Sequence, residues 1–177
     1  DGALDDLAAL RLALPDHPDD AFFAASAPWF FTLFGRDSLW AARLLLPLDG
    51  TMAASTLRVL ARLQGTRTDP ATAEQPGKIM HELRAGTLEM PGEGVVLPPL
   101  YYGTVDATPL WVSLLAETAA AGMPDEEVLA LLPTLEAALD WITTSARDDG
   151  FLDYVDETGH GLSNQGWKDS GDSIQWR

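Results

Sequence analysis

Apolar positions along the chain fall into helical blocks separated by long polar stretches rich in glycine and proline. Residues 3–14 are almost entirely Ala and Leu, which cost least in a helix, and Pro15 follows, so a first helix is expected there. Residues 15–20 read as a polar connector. Leu39 to Leu46, ended by Pro47, predicts a second helix. Met52 to Gln64 predicts a third, with Leu57, Leu60 and Ala61 on one face and Gly65 as its stop. Thr108-Pro109 forms a start signal for a helix over Leu110–Ala121 that carries Trp111, Leu114, Leu115 and Thr118. Asp125 to Leu132 reads as a short helix broken by Pro133. Thr134 to Ser145 is the next, its inner face carrying Leu135, Ala138, Leu139 and Ile142. No alternation is long enough for a main sheet, so the expected fold class is all-α.

The loops hold the chemistry. Residues 161–173, Gly-Leu-Ser-Asn-Gln-Gly-Trp-Lys-Asp-Ser-Gly-Asp-Ser, put Trp167, Lys168, Asp169 and Asp172 within six positions among turn-forming residues. An indole can stack on a sugar ring, and a carboxylate can accept its hydroxyls or protonate a glycosidic oxygen. An Asp-capped helix start with Trp167 as a core plug explains the same residues. Arg36-Asp37 interrupts two apolar runs, where a solvated pair is less expected. Residues 21–34 hold Phe22, Phe23, Trp29, Phe30, Phe31 and Phe34, as core or as a sugar-facing platform. His81, Glu82 and Arg84 crowd four positions, and the second His that a zinc helix needs is missing, so no metal is expected. Tyr101, Tyr102 and Asp106 precede a helix, as pocket lining or as buried packing.

Composition narrows the partners. A formal net charge of −16 disfavours nucleic acid and anionic membrane. No cysteine is present, which excludes disulfides and thiolate metal sites and fits a reducing compartment. No apolar run is long enough to span a bilayer, and a cytoplasmic location is expected. The absent initial Met and the end at Arg177, just after the richest loop, suggest a fragment of a longer chain.

Four segments occur in order: Phe34-Gly-Arg-Asp-Ser-Leu-Trp40, Gly77-Lys-Ile-Met-His-Glu-Leu-Arg84, Tyr101-Tyr-Gly-Thr-Val-Asp-Ala-Thr-Pro-Leu110 and Asn164-Gln-Gly-Trp-Lys-Asp-Ser-Gly-Asp172. Together they closely resemble the amylo-α-1,6-glucosidase domain of glycogen-debranching-type enzymes, in the six-hairpin glycosidase group. That resemblance implies an (α/α)6 toroid, of which residues 1–177 would be about the N-terminal half. It implies inverting hydrolysis of an oligosaccharide or glycogen-like glucan without a cofactor. Arg36 and Asp37 would grip the terminal sugar, and Trp29, His81, Glu82, Arg84, Tyr101, Tyr102 and Asp106 would share the substrate site with Trp167 and Lys168. The general acid would be Asp169, two residues after Trp167. Related trehalases place it after Ser-Gly-x, and Ser170-Gly171 stands directly before Asp172, so Asp172 is the second candidate. The general base, needed roughly 6.5–9.5 Å from the acid for inversion, would come from the later half of the toroid. A non-catalytic carbohydrate-binding relative, a six-hairpin enzyme for trehalose or another sugar, and an acidic helical scaffold are the competing readings.

Overall fold

The computed structural model describes residues 2–92, 94–156 and 158–166. Among these residues the fold is mixed α/β, which corrects the all-α (α/α)6 toroid expected from the sequence. Five helices share the chain with three small antiparallel sheets.

The first departure lies at the N-terminus. The helix α1 (Gly2–Ala9) stops early, and β1 (Arg11–Leu14) pairs with β2 (His17–Phe23) across a tight turn at Pro15-Asp16. Leu12 and Leu14 point inward and Arg11 and Ala13 outward, the period-two pattern of a half-buried strand. In β2, Ala21, Phe22 and Phe23 are buried.

Helix α2 (Gly35–Leu45) and α3 (Thr51–Arg62) lie against that ribbon. Ser38 Oγ donates to the Phe23 carbonyl at 2.7 Å, and Ser55 Oγ to the Ala21 carbonyl at 2.6 Å. Asp20, nearly buried, is gripped by Arg58 at 2.7 Å and by Arg62. Burial works against its charge, but the hydrogen bonds from both guanidiniums prevail and hold the carboxyl below its ordinary pKa. Helix α4 (Ala107–Ala120) packs on α2 and α3 and contributes Trp111, whose indole donates to the Leu57 carbonyl at 3.1 Å. These faces and the residues between them form the main core, including Leu33, Leu39, Leu57, Leu60, Ile79 and Leu114.

The break expected at Pro133 does not occur. Helix α5 (Asp125–Ser145) runs through it. Pro133 is exposed, and so is Leu129, whose carbonyl loses its helical partner, so water can solvate that oxygen. The inner face of α5 is also rotated from the expectation: Leu131, Ala138 and Trp141 are buried while Leu139 is exposed.

A second sheet joins β3 (Leu33–Phe34), β4 (Glu82–Leu83) and β7 (Leu100–Tyr101), with Phe34 opposite Glu82 and Glu82 opposite Tyr101. Between β4 and β7 a separate hairpin forms from β5 (Leu88–Met90) and β6 (Val95–Leu97), in a stretch whose glycines and prolines show no strand pattern.

Candidate functional site

The six residues of the β3–β4–β7 sheet lace together three of the four segments singled out in the sequence. Gly35 N–H donates to the His81 carbonyl, and His81 N–H to the Tyr101 carbonyl, both at 2.8 Å. Gly35 has to be glycine, because a Cβ there would run into the Met80 carbonyl oxygen. The fourth segment is tied on as far as it is described: Val105 N–H donates to the Gln165 carbonyl at 3.0 Å, and Leu162 N–H to the Tyr101 hydroxyl at 3.1 Å.

At the meeting point Arg36 is only 4% exposed. Its Nε donates to Asp106 Oδ2 at 2.7 Å, and its Nη2 to the Gln165 carbonyl at 3.3 Å. Thr104 Oγ1 donates to the other Asp106 oxygen at 2.9 Å. The carboxylate is thus held from two sides before any ligand arrives. Asp37 sits half-buried in the first turn of α2, where the helix dipole favours a negative charge.

Glu82 is buried in the sheet and accepts from Arg84 Nε at 2.9 Å. The Arg84 guanidinium lies 5.5 Å from the Phe34 ring centre and 5.9 Å from that of Phe30. His81 is clasped edge-on between Phe34 and Tyr101, with ring centres 5.6 and 5.9 Å away. Burial first, then the charges of Arg36, Arg84 and Lys78, push its pKa down to about 3. The imidazole is therefore neutral at neutral pH and is no proton donor there. Its Nδ1 is buried and has no hydrogen-bond partner among the described residues. Burial also raises the Tyr101 phenol, and it carries Tyr102 up to about 12. The Tyr102 hydroxyl turns away from this cluster and donates to the Leu63 carbonyl at 2.8 Å, pinning the end of α3.

The aromatics before β3 divide. Phe22, Phe23 and Phe34 are core, whereas Trp29 is 81% exposed and Phe30 and Phe31 are each nearly half exposed. Phe30 stacks edge-on against Phe34 at 5.8 Å, which joins the exposed group to the buried cluster. Trp167, Lys168, Asp169 and Asp172 lie outside the described residues.

Beside the cluster is a cavity of about 320 Å³ that sequence reasoning missed. It opens between the loop 68–78, the C-terminal end of α5 and the segment 153–155. Lys78 and Trp141 are both buried in its wall. Lys78 lay inside a quoted segment, but nothing in its neighbours marks it as buried. Trp141 is not among the residues expected on the inner face of its helix.

No helix among the described residues is long and apolar enough to cross a membrane. No protein-family model matches the chain, and no curated protein matches it.

Proposed function

We infer that this chain contributes a saccharide site to a glycoside hydrolase acting on α-glucosidic bonds, of the amylo-α-1,6-glucosidase type. The observation that carries the reading is convergence. Three of the segments, and the described start of the fourth, meet around one Arg36–Asp106 pair held at 2.7 Å, with Arg36 buried and Asp106 half-buried. A buried guanidinium has to offset its own desolvation, and stability alone is a weak reason to keep one.

The surroundings suit a neutral polyol. Arg36, Asp37 and Asp106 supply charged donors and acceptors for hydroxyls. His81 Nδ1 is the kind of buried polar atom that a hydroxyl would complete. Trp29, Phe30 and Phe31 offer exposed rings to the apolar face of a sugar. In this reading the proton for the leaving oxygen comes from Asp169, with Asp172 as the second candidate, since His81 stays a neutral imidazole, too weak an acid for that step.

The test is glucose release from a singly α-1,6-branched malto-oligosaccharide by the full-length protein, beside its Asp169→Asn and Asp172→Asn variants. Release lost in Asp169→Asn and only weakened in Asp172→Asn supports the assignment. The reverse order moves the acid to Asp172, and no release from the unmutated protein removes the hydrolase reading.

A further inference from the structure

The cavity beside the Arg36–Asp106 pair is a built feature. Gln64 Nε2 donates to the Gly77 and Thr134 carbonyls, both at 2.9 Å, and so clamps the 68–78 loop onto α5. Gly77 has φ +84° and sits so close to α5 that a Cβ would strike the Ala137 carbonyl. Trp141 Nε1 donates to Gln75 Oε1 at 2.7 Å, fixing the indole in the wall. Ala73 lines the same space with φ +57°, a left-handed conformation that a non-glycine residue seldom adopts without a reason. Its carbonyl accepts from Lys78 Nζ at 3.4 Å, and that ammonium also stands 5.6 Å from the Trp141 ring centre.

The lining decides the ligand class. Asp69, Glu74 and Asp153 face Lys78 and Arg147, so the acids outnumber the cations and an anion has no favourable field there. Indole and phenol walls from Trp141 and Tyr154, set among these donors and acceptors, match a neutral ring carrying many hydroxyls. The volume is at the small end of the roughly 300–1,000 Å³ typical of ligand pockets. The cavity also shares two residues with the surroundings of the Arg36–Asp106 pair. Gln165 and Thr104 line it, and the same residues bond Arg36 and Asp106.

We propose that this cavity is a second saccharide subsite, holding the glucosyl ring next to the one gripped at Arg36 and Asp106. The proposal rests on the saccharide reading given above and adds where the neighbouring ring lies. Lys78 donates to its hydroxyls, Trp141 and Tyr154 wall its apolar faces, and Asp69 and Asp153 accept.

The test uses the full-length protein with maltose and the singly α-1,6-branched malto-oligosaccharide named above. Lys78→Met keeps the length of the buried stem, and Tyr154→Ala changes a half-exposed residue, so thermal melting can show that both variants stay folded. Calorimetric affinity for maltose is expected to fall by about tenfold or more in each, as for a lost charged hydrogen bond or ring contact. KM for the branched oligosaccharide should rise in parallel. Two folded variants that bind maltose like the wild type overturn the subsite, as does a wild type that binds no maltose. Wild-type maltose binding that Lys78→Met weakens, with no hydrolysis of any substrate, leaves the subsite standing and removes the hydrolase reading. Hydrolysis that neither variant alters does the opposite.

Discussion

Arg36 and Asp106 meet at 2.7 Å across seventy residues of sequence. Arg36 stands in the first turn of α2, and Asp106 immediately precedes α4. The bond therefore fixes two helix starts against each other as well as setting a charge in the candidate site. Arg36→Met should destabilise the fold by about 1–3 kcal/mol, since Asp106 then loses its charged donor and keeps only Thr104. Asp106→Asn should cost less, because the amide oxygen still accepts. A double-mutant cycle by urea unfolding would read a coupling of about 1 kcal/mol or more, and additive losses would contradict the account.

Acid should unfold the protein earlier than its carboxylates alone would. The unfolded chain binds a proton on His81 near pH 6.5, while the folded cluster refuses it until about pH 3. The folded pKa is the lower one, so this stability is complete above pH 6.5 and drains as the pH falls from there toward 3. The slope is ~1.4 kcal/mol per pH unit. Asp20, held below its ordinary carboxylate value, adds a loss that begins only in more acid solution. Urea midpoints between pH 7 and 5 isolate the histidine, and His81→Gln should flatten them.

Gly35→Ala should be among the most damaging small changes in the chain. The added methyl has the Met80 backbone carbonyl in its place, and backbone cannot swing aside as a flexible side chain can. A loss of roughly 1–3 kcal/mol is expected from such overpacking, with the Gly35–His81 backbone bond going with it. Guanidinium unfolding would measure it, and a loss below about half a kcal/mol would show that the β3–β4 seam is looser than drawn.

Pro133→Ala should raise stability. Proline in a helix interior costs up to ~3 kcal/mol relative to Ala, and Pro133 is exposed, so its removal leaves no cavity. Restoring the hydrogen bond to the Leu129 carbonyl should lift Tm by several degrees. A calorimetric scan of the two proteins decides it.

The main helices were legible because their signals are local. Leu57 and Leu60 on α3, and Trp111, Leu114 and Leu115 on α4, recur at helical spacing and are all buried. The N-terminal ribbon was not, because Ala and Leu at residues 11–14 favour a helix. There the pairing with Ala21, Phe22 and Phe23 overrides propensity. The β3–β4–β7 sheet could not be read at all. Its strands are two residues long, too short to show a period, and it exists through bonds between Phe34, Glu82 and Tyr101 that are distant in sequence. The loops that carry candidate chemistry were identifiable by residue type. Their mutual placement was not, and neither was the burial of Lys78 against Trp141, since both depend on how α5 lies on the 68–78 loop.

The β5–β6 hairpin departs from the sheet at Leu83 and returns at Leu100, and its two ends are stitched by Arg84 N–H to the Pro99 carbonyl at 2.7 Å. Geometrically it is a closed parenthesis. Residues 85–98 can be lengthened, shortened or exchanged as one cassette while Glu82 and Tyr101 keep their places opposite each other, provided an apolar side chain still fills the buried position of Leu97. Among the described residues, the backbone bond that would have to be remade is from Val96 N–H to the His160 carbonyl, which links the hairpin to the segment leading into the fourth motif. Variation among related chains, and engineered grafts, should therefore concentrate in this cassette and spare the six residues that frame it.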